Sequence, residues 1–212
     1  MNYANRLQAG QVLADLLHDY AVKENTIILA LPRGGVPVAY EMAIKLRLPM
    51  DIFIVRKLGV PGHEEYAMGA IASGGIVVFN EEVVNGLYIK SAAIDEVLQN
   101  EEHELTRREK VYRGNRPPVQ LAGKTVILVD DGIATGYTMR AAIAALKQKK
   151  PAELIVAVPV AARSTCVEMA GLVNKVICPL QPVNFYAVGL WYDDFSQTSD
   201  EEVMHFMSAL SA

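Results

Sequence analysis

Short apolar runs, glycine turns and amphipathic stretches alternate along this chain, and their order predicts an α/β protein built on a parallel sheet. Arg6–Tyr20 carries Leu7, Val12, Leu13, Leu16 and Leu17 at helical spacing. Thr26–Leu31 is an unbroken apolar run, the pattern of a strand covered on both faces, and Val36–Leu46 reads as the helix after it. Met50–Val55, Val126–Val129, Leu154–Val160 and Lys175–Leu180 predict four further core strands. Helices over Met139–Lys149 and up to Ala170 separate the last three of them. The periodicity fails between Leu58 and Tyr66, where glycine, proline and charge predict a mobile loop. Gly69–Asn80 then reads as two β runs around a Gly74-Gly75 turn.

Ala92–Tyr112 is charged, with sparse apolar positions and pairs such as Glu104 and Arg108 one helical turn apart. It predicts a long, mostly exposed helix, either a surface strut or an oligomer contact such as a homodimer interface. Arg116-Pro117-Pro118 ends it. The tail gathers Phe185, Tyr186, Trp191, Tyr192 and Phe195, and Ser199 caps a final helix through Leu210. These aromatics form either a hood over a flat heterocycle or a satellite core beneath the terminal helix, and the structural reading is slightly favoured.

The 212 residues suit one domain, with a core over about 21–180 and an appendage from 1–20 and 181–212. A formal charge of −4 argues against general nucleic-acid binding. Cys166 and Cys178 match no metal or redox spacing and read as two reduced thiols. No apolar run reaches membrane-spanning length and no secretory leader is evident, so the expected location is the cytoplasm.

The chemistry concentrates in Val126–Thr138, VILVDDGIATGYT. An apolar strand ends in two carboxylates, Asp130 and Asp131, and small and hydroxyl residues lead into a helix. A helix N-terminus offers unpaired N–H groups to a phosphate, small residues let it approach, and threonines add donors. The acids would repel that phosphate, so they must face hydroxyls or a metal. A ribose 5-phosphate meets both demands. The plainer alternative is a strand–turn–helix unit whose acids only cap the helix. Pro32-Arg33-Gly34-Gly35 is a second strand–turn–helix junction, either an anion seat or a turn with a solvated arginine.

At these residues the chain resembles the type I phosphoribosyltransferases, whose 5-phosphoribosyl-1-pyrophosphate (PRPP) motif has this order of strand, acid pair and Thr-Gly-x-Thr-like loop. RGGVPVA, VRKLGVPGHEE and WYDDF also resemble segments of a bacterial group of predicted phosphoribosyltransferases. The resemblance implies a doubly wound, mainly parallel sheet with a flexible β-hairpin lid and a small C-terminal hood. It implies transfer of the phosphoribosyl group to a nitrogenous, nucleobase-like acceptor, with Mg²⁺ as cofactor and release of pyrophosphate.

On this implication, Asp130 and Asp131 hold the ribose hydroxyls and help place the metal, directly or through water. Gly132, Ile133, Ala134, Thr135, Gly136, Tyr137 and Thr138 hold the 5-phosphate. Arg33, Gly34, Gly35, Arg56 and Lys57 hold pyrophosphate, and Asp130, Asp131, Arg56 and Lys57 form the catalytic set. Arg163, Ser164, Tyr186 and Trp191 are candidate contacts to the acceptor or to pyrophosphate, while Arg163 serves equally as a loop cap. His63, Glu64 and Glu65 read as solvated loop residues before active ones. Two positions depart from the family pattern. Ala134 stands where hypoxanthine-guanine enzymes carry an acidic base, and Gly132 stands where an apolar residue is usual. The other functions considered are a PRPP-binding regulator without turnover and a phosphorylase- or hydrolase-like use of the same site.

Overall fold

The computed structural model describes residues 2–210; residues 1, 211 and 212, at the ends of the expected appendage, lie outside it. Helix α1 (Arg6–Leu16) and a 3-10 turn (His18–Tyr20) precede strand β1 (Thr26–Ala30), and helix α2 (Gly35–Leu46) leads to strand β2 (Met50–Ile52). Three strands follow, β3 (Val55–Val60), β4 (His63–Ala72) and β5 (Ile76–Phe79), then helices α3 (Glu81–Gly86) and α4 (Ser91–Arg113). The chain returns through β6 (Thr125–Val129), α5 (Tyr137–Gln148), β7 (Glu153–Ala157), α6 (Arg163–Ala170) and β8 (Lys175–Ile177) to the final helix α7 (Asp200–Ala209).

The core is a five-stranded parallel sheet in the order β2-β1-β6-β7-β8. Its strands are covered on both faces, and alternate residues serve different layers. Ile28 and Ala30 of β1, with Ile127 and Val129 of β6, pack among α1, α2, α4 and α7. Ile27, Leu29, Val126 and Leu128 pack among α5 and α6 on the other face. Strand β1 continues outward to β2, whereas β6 continues the opposite way to β7 and β8. The chain therefore reverses direction between β1 and β6, and a cleft opens at the carboxyl ends of those neighbours. The register sets the two ends level, Ala30 opposite Val129, and Leu31 N–H donates to the Val129 carbonyl at 2.9 Å.

The expected Met50–Val55 strand divides in two. Phe53 N–H still donates to Ala30, but Ile54 exchanges bonds with Ser73, donating to its hydroxyl and accepting from its N–H. That exchange hands the chain to a second, antiparallel sheet in the order β3-β4-β5. The expected loop over Leu58–Tyr66 is corrected here: most of it lies in β3 and β4, paired with shifts of register around Gly59. The lid is thus a three-stranded sheet rather than a loop followed by a hairpin.

Helix α4 keeps an exposed charged face, as its composition implies, and buries Leu105 at mid-length and Tyr112 and Arg113 in its last turn. There buried Arg113 donates to buried Asp51 at 3.0 Å and to the Ile52 carbonyl at 3.1 Å, pinning the helix to edge strand β2. Removing one partner of such a pair would strand a buried charge. The C-terminal aromatics form a small core of their own, in which Tyr192 is buried beside Tyr3, Phe185, Val188, Trp191 and Phe195. The satellite core forms, but it packs on Ala9 of α1 and on Val160 rather than beneath the terminal helix, whose Val203 and Met207 join the main core. Among the described residues no helix is long and apolar enough to cross a membrane.

Candidate active site

Strand β6 delivers Asp130 and Asp131 to the carboxyl edge of the sheet, half-buried beside the turn after β1. Asp131 N–H donates to Asp130 Oδ1 at 2.8 Å. Burial pushes the Asp130 carboxyl well above the usual range, and the neighbouring Asp131 charge adds to it. Burial raises Asp131 too, while Arg6 pulls it back. A pair with these competing environments, set in a cleft, is a candidate functional place in the fold.

The turn Arg33–Gly35 lies directly against the acids. A Cβ at Gly34 would overlap Asp131 Oδ2, and one at Gly35 would come within 2.7 Å of the Val129 carbonyl and 3.0 Å of Asp130 Cα. The glycines are there because the two turns touch. The Pro32–Arg33 peptide is cis. The Arg33 guanidinium faces Asp200, at the start of α7, at 3.6 Å.

Beyond the acids, Gly132–Thr138 lines a cleft of about 200 Å³ with Asp130, Met139 and Val188. Helix α5 begins at Tyr137, so its unpaired N–H groups belong to the floor of this cleft. Ala134, Thr135 and Thr138 are exposed to it, and among the described residues no cation lines it, although Arg140 Nη1 lies 2.9 Å from the Gly136 Cβ position. The Tyr137 hydroxyl donates to the Gly69 carbonyl of β4, tying the turn to the lid sheet. Gly132 departs from the apolar residue usual in the resembled motif, and the structure supplies the reason. A Cβ there would lie 2.5 Å from Val188 Cγ1 and 3.1 Å from a Val160 methyl, so the tail fills the space that an apolar side chain would occupy.

The remaining candidates fall in different places. Arg56 and Lys57 are on strand β3, Arg56 paired with Glu101 of α4 and Lys57 3.6 Å from exposed Glu65. Among the described residues no hydrogen bond or ion pair joins either to the acid pair. Arg163 and Ser164 open helix α6 and are exposed, next to Thr165, whose methyl comes within 3.5 Å of the Gly136 Cβ position. Trp191 packs in the satellite core with its ring nitrogen buried and unpaired, whereas Tyr186 is 83% exposed. His63, Glu64 and Glu65 stand on the exposed end of β4, in keeping with the solvated reading. The residue that sequence reasoning missed is Arg6, whose Nε donates to Asp131 Oδ2 at 2.8 Å from the far end of the chain. Tyr192 joins it, its hydroxyl donating to the Asp131 carbonyl at 2.6 Å.

As a place for a metal, the acids offer only oxygen donors, and among the described residues no cluster of three or more His, Cys, Asp or Glu side chains forms. Two carboxylates without a cage suit a hard cation that keeps most of its shell as water and substrate oxygens, as magnesium does.

Comparison with known proteins agrees with this geometry. A phosphoribosyl transferase domain model matches residues 2–190. Curated proteins from two Mycobacterium tuberculosis strains, each named "Putative phosphoribosyl transferase", are 41% identical over 97% of this chain. The match takes in 46% of those proteins, so the chain spans about half their length. A "Bifunctional protein PyrR" from Brevibacillus brevis is 31% identical over 40% of the chain and 50% of its own length. The crystal structure of TT1426 from Thermus thermophilus superposes with a TM-score of 0.86 at 35% identity, covering 99% of each chain. An acid pair and glycine turns at the reversal of a parallel sheet, together with these matches, place the chain in the phosphoribosyl transferase domain family.

Proposed function

We propose that the protein transfers the 5-phosphoribosyl group of PRPP to a nitrogen of a nucleobase-like acceptor and releases pyrophosphate. One observation carries this reading: Gly34 sits against Asp131, so the basic turn and the acid pair touch, and the small-residue cleft opens from the same acids. PRPP needs that order, with pyrophosphate on one side of the ribose and the 5-phosphate on the other.

Backbone N–H groups and the Thr135 and Thr138 hydroxyls would hold the 5-phosphate at the start of α5. Asp130 and Asp131 would accept from the ribose 2- and 3-hydroxyls and would hold Mg²⁺, whose chemistry here is to neutralise pyrophosphate oxygens. The acceptor nitrogen bonds to C1 as the C1–oxygen bond breaks, and pyrophosphate leaves with the electron pair. Arg33 and Arg56 would stabilise the negative charge gathering on it, with Lys57 from the lid. Ala134 offers no base, so the acceptor's proton is lost to another group or to water. Closure of the β3–β5 sheet would keep water from the cationic sugar. The chain then works as one domain with a hood, in the cytoplasm.

A second reading, a PRPP-binding regulator without turnover, draws on the acids that already occupy Arg33 and Arg56. Titration calorimetry of PRPP with and without Mg²⁺, followed by a pyrophosphate-release assay across a panel of bases, separates the two. Binding with release for one base supports the enzyme and names its acceptor. Binding with no release for any base moves the weight to the regulator, and no binding sinks both.

A further inference from the structure

The two ends of the chain meet the acidic turn at three points. Val188 lies against Gly132, the Tyr192 hydroxyl donates to the Asp131 carbonyl, and Arg6 donates to the Asp131 carboxylate. Only the last reaches an atom with proposed chemistry, and Arg6 is held there closely. Its guanidinium carbon lies 3.9 Å from the centre of the Phe195 ring, and Nη1 donates to the Ser196 carbonyl at 2.7 Å. The side chain is 11% exposed. The helix that carries it is docked as firmly. Asn5 caps α1 by accepting from Gln8 N–H, and at Gly10 a Cβ would overlap the Val38 carbonyl oxygen of α2. A planar guanidinium fixed by stacking on one face and by a carbonyl at one end leaves its Nε a single direction in which to donate.

The consequence falls on the acids. Asp131 Oδ2 is taken by Arg6, and Asp130 Oδ1 is taken by Asp131 N–H. Among the described residues no hydrogen bond from another residue reaches Asp131 Oδ1 or Asp130 Oδ2, so one oxygen of each acid is left for a ligand. Without Arg6 the Asp131 carboxylate could rotate, and its charge would stand beside Asp130 with no counter-cation in a half-buried place.

We infer that Arg6 is a positioning residue for the ribose: from the hood it orients the Asp131 carboxylate so that Oδ1 faces the sugar hydroxyls. The N-terminal helix is then part of the ribose subsite and not only part of the cover. This rests on the PRPP reading above.

The test uses ribose 5-phosphate, which carries the sugar and phosphate alone, beside PRPP and inorganic pyrophosphate, titrated into the full chain and into Arg6→Ala, Arg6→Gln and Arg6→Lys. Loss of a group that orients a ligand-binding side chain typically costs about 10- to 100-fold. Arg6→Ala is expected to weaken ribose 5-phosphate and PRPP by that factor, to raise the PRPP KM more than it lowers kcat, and to leave pyrophosphate affinity unchanged. Added methylguanidinium should restore part of the lost affinity, and Arg6→Lys, which keeps the charge but not the planar fork, should fall between. Wild-type affinity in folded Arg6→Ala or Arg6→Gln overturns the inference. So does an equal loss for pyrophosphate with no rescue, because that pattern belongs to a loosened helix. Should Arg6→Ala fail to fold by circular dichroism, Arg6→Gln and Arg6→Lys carry the same comparison. A wild-type chain that binds neither sugar ligand removes the PRPP reading itself, a separate result from loss in the variants alone.

Discussion

On one side of the acid pair, the cleft from Gly132 to Met139 presents backbone, small side chains and hydroxyls, with no cation in its lining. On the other lies the turn that carries Arg33, and its guanidinium, like that of Arg56 on β3, already has a carboxylate partner, Asp200 of α7 for the first and Glu101 of α4 for the second. Lys57 has Glu65 at 3.6 Å. The first seat is fixed by the fold, since N–H groups at the start of a helix have no intrahelical partner and cannot turn away. The second would be made of long side chains, and acids from other elements already compensate their charges. On the proposed reading, the cleft is ready for a phosphate as it stands, whereas a pyrophosphate would have to replace internal carboxylates.

The largest effect expected from breaking this arrangement is at the contact between its halves. The backbone at Gly34 is right-handed helical, φ −61° and ψ −33°, so alanine adopts it without strain. Its methyl would nevertheless overlap Asp131 Oδ2, which Arg6 holds in place. Gly34→Ala should lower PRPP affinity about 100-fold, the scale of a small misplacement in an oriented site. Overpacking of this kind costs about 1–3 kcal/mol of stability, readable from the urea midpoint. Wild-type affinity by calorimetry in this variant would show that the two turns do not act on one ligand.

Much of this layout could be read from the chain, and the parts that could not share a cause. The acid pair and both glycine turns were legible because strand end, turn and helix start are contiguous in sequence. Gly132 was legible only as an anomaly, since the group that explains it, Val188, lies in the tail. Arg6 gave no signal: an arginine opening an amphipathic helix looks like any solvated first-turn residue, and its partner is 125 positions away. The lid strands hid for a local reason. Residues 63–66 of β4 are exposed and 68–72 are buried, so no alternation marks the strand, and register shifts around Gly59 break the pattern of its partner. Arg113 was hidden by the charge of its own helix, though it is among the most buried cations of the described residues.

A smaller change should sharpen the comparison by strengthening binding instead of weakening it. Exposed and half-exposed ion pairs are worth about 0.2–1 kcal/mol, so freeing Arg33 or Arg56 from its acid should tighten anion binding by up to about fivefold. Asp200→Asn is expected to raise affinity for inorganic pyrophosphate by that factor, and Glu101→Gln likewise, with ribose 5-phosphate unaffected by either. The Ser199–Glu202 capping box remains to hold the start of α7. Weaker pyrophosphate binding in Asp200→Asn would mean that the acid supports the arginine and does not compete for it.

The smallest effect sits one bond further out, where the Tyr112 hydroxyl donates to Asp200 Oδ1 at 2.6 Å. Burial, then the bond to Asp200, pushes this phenol up to about 12. An unfolded tyrosine titrates near 10, so the native chain holds this proton more tightly than the unfolded one. The stability gained is complete below about pH 10 and is lost as pH rises through about 12. Tyr112→Phe should therefore flatten the decline of the urea midpoint across that window, measured as a difference from wild type because Tyr3, also raised to about 12, contributes to the same limb. At neutral pH the same variant removes the hydroxyl that donates to Asp200 and leaves that acid to Arg33 and the more distant charge of Arg107. Pyrophosphate affinity should then fall, by less than about twofold, opposite in sign to Asp200→Asn. If both variants move it the same way, Asp200 is not the acid that a pyrophosphate must displace.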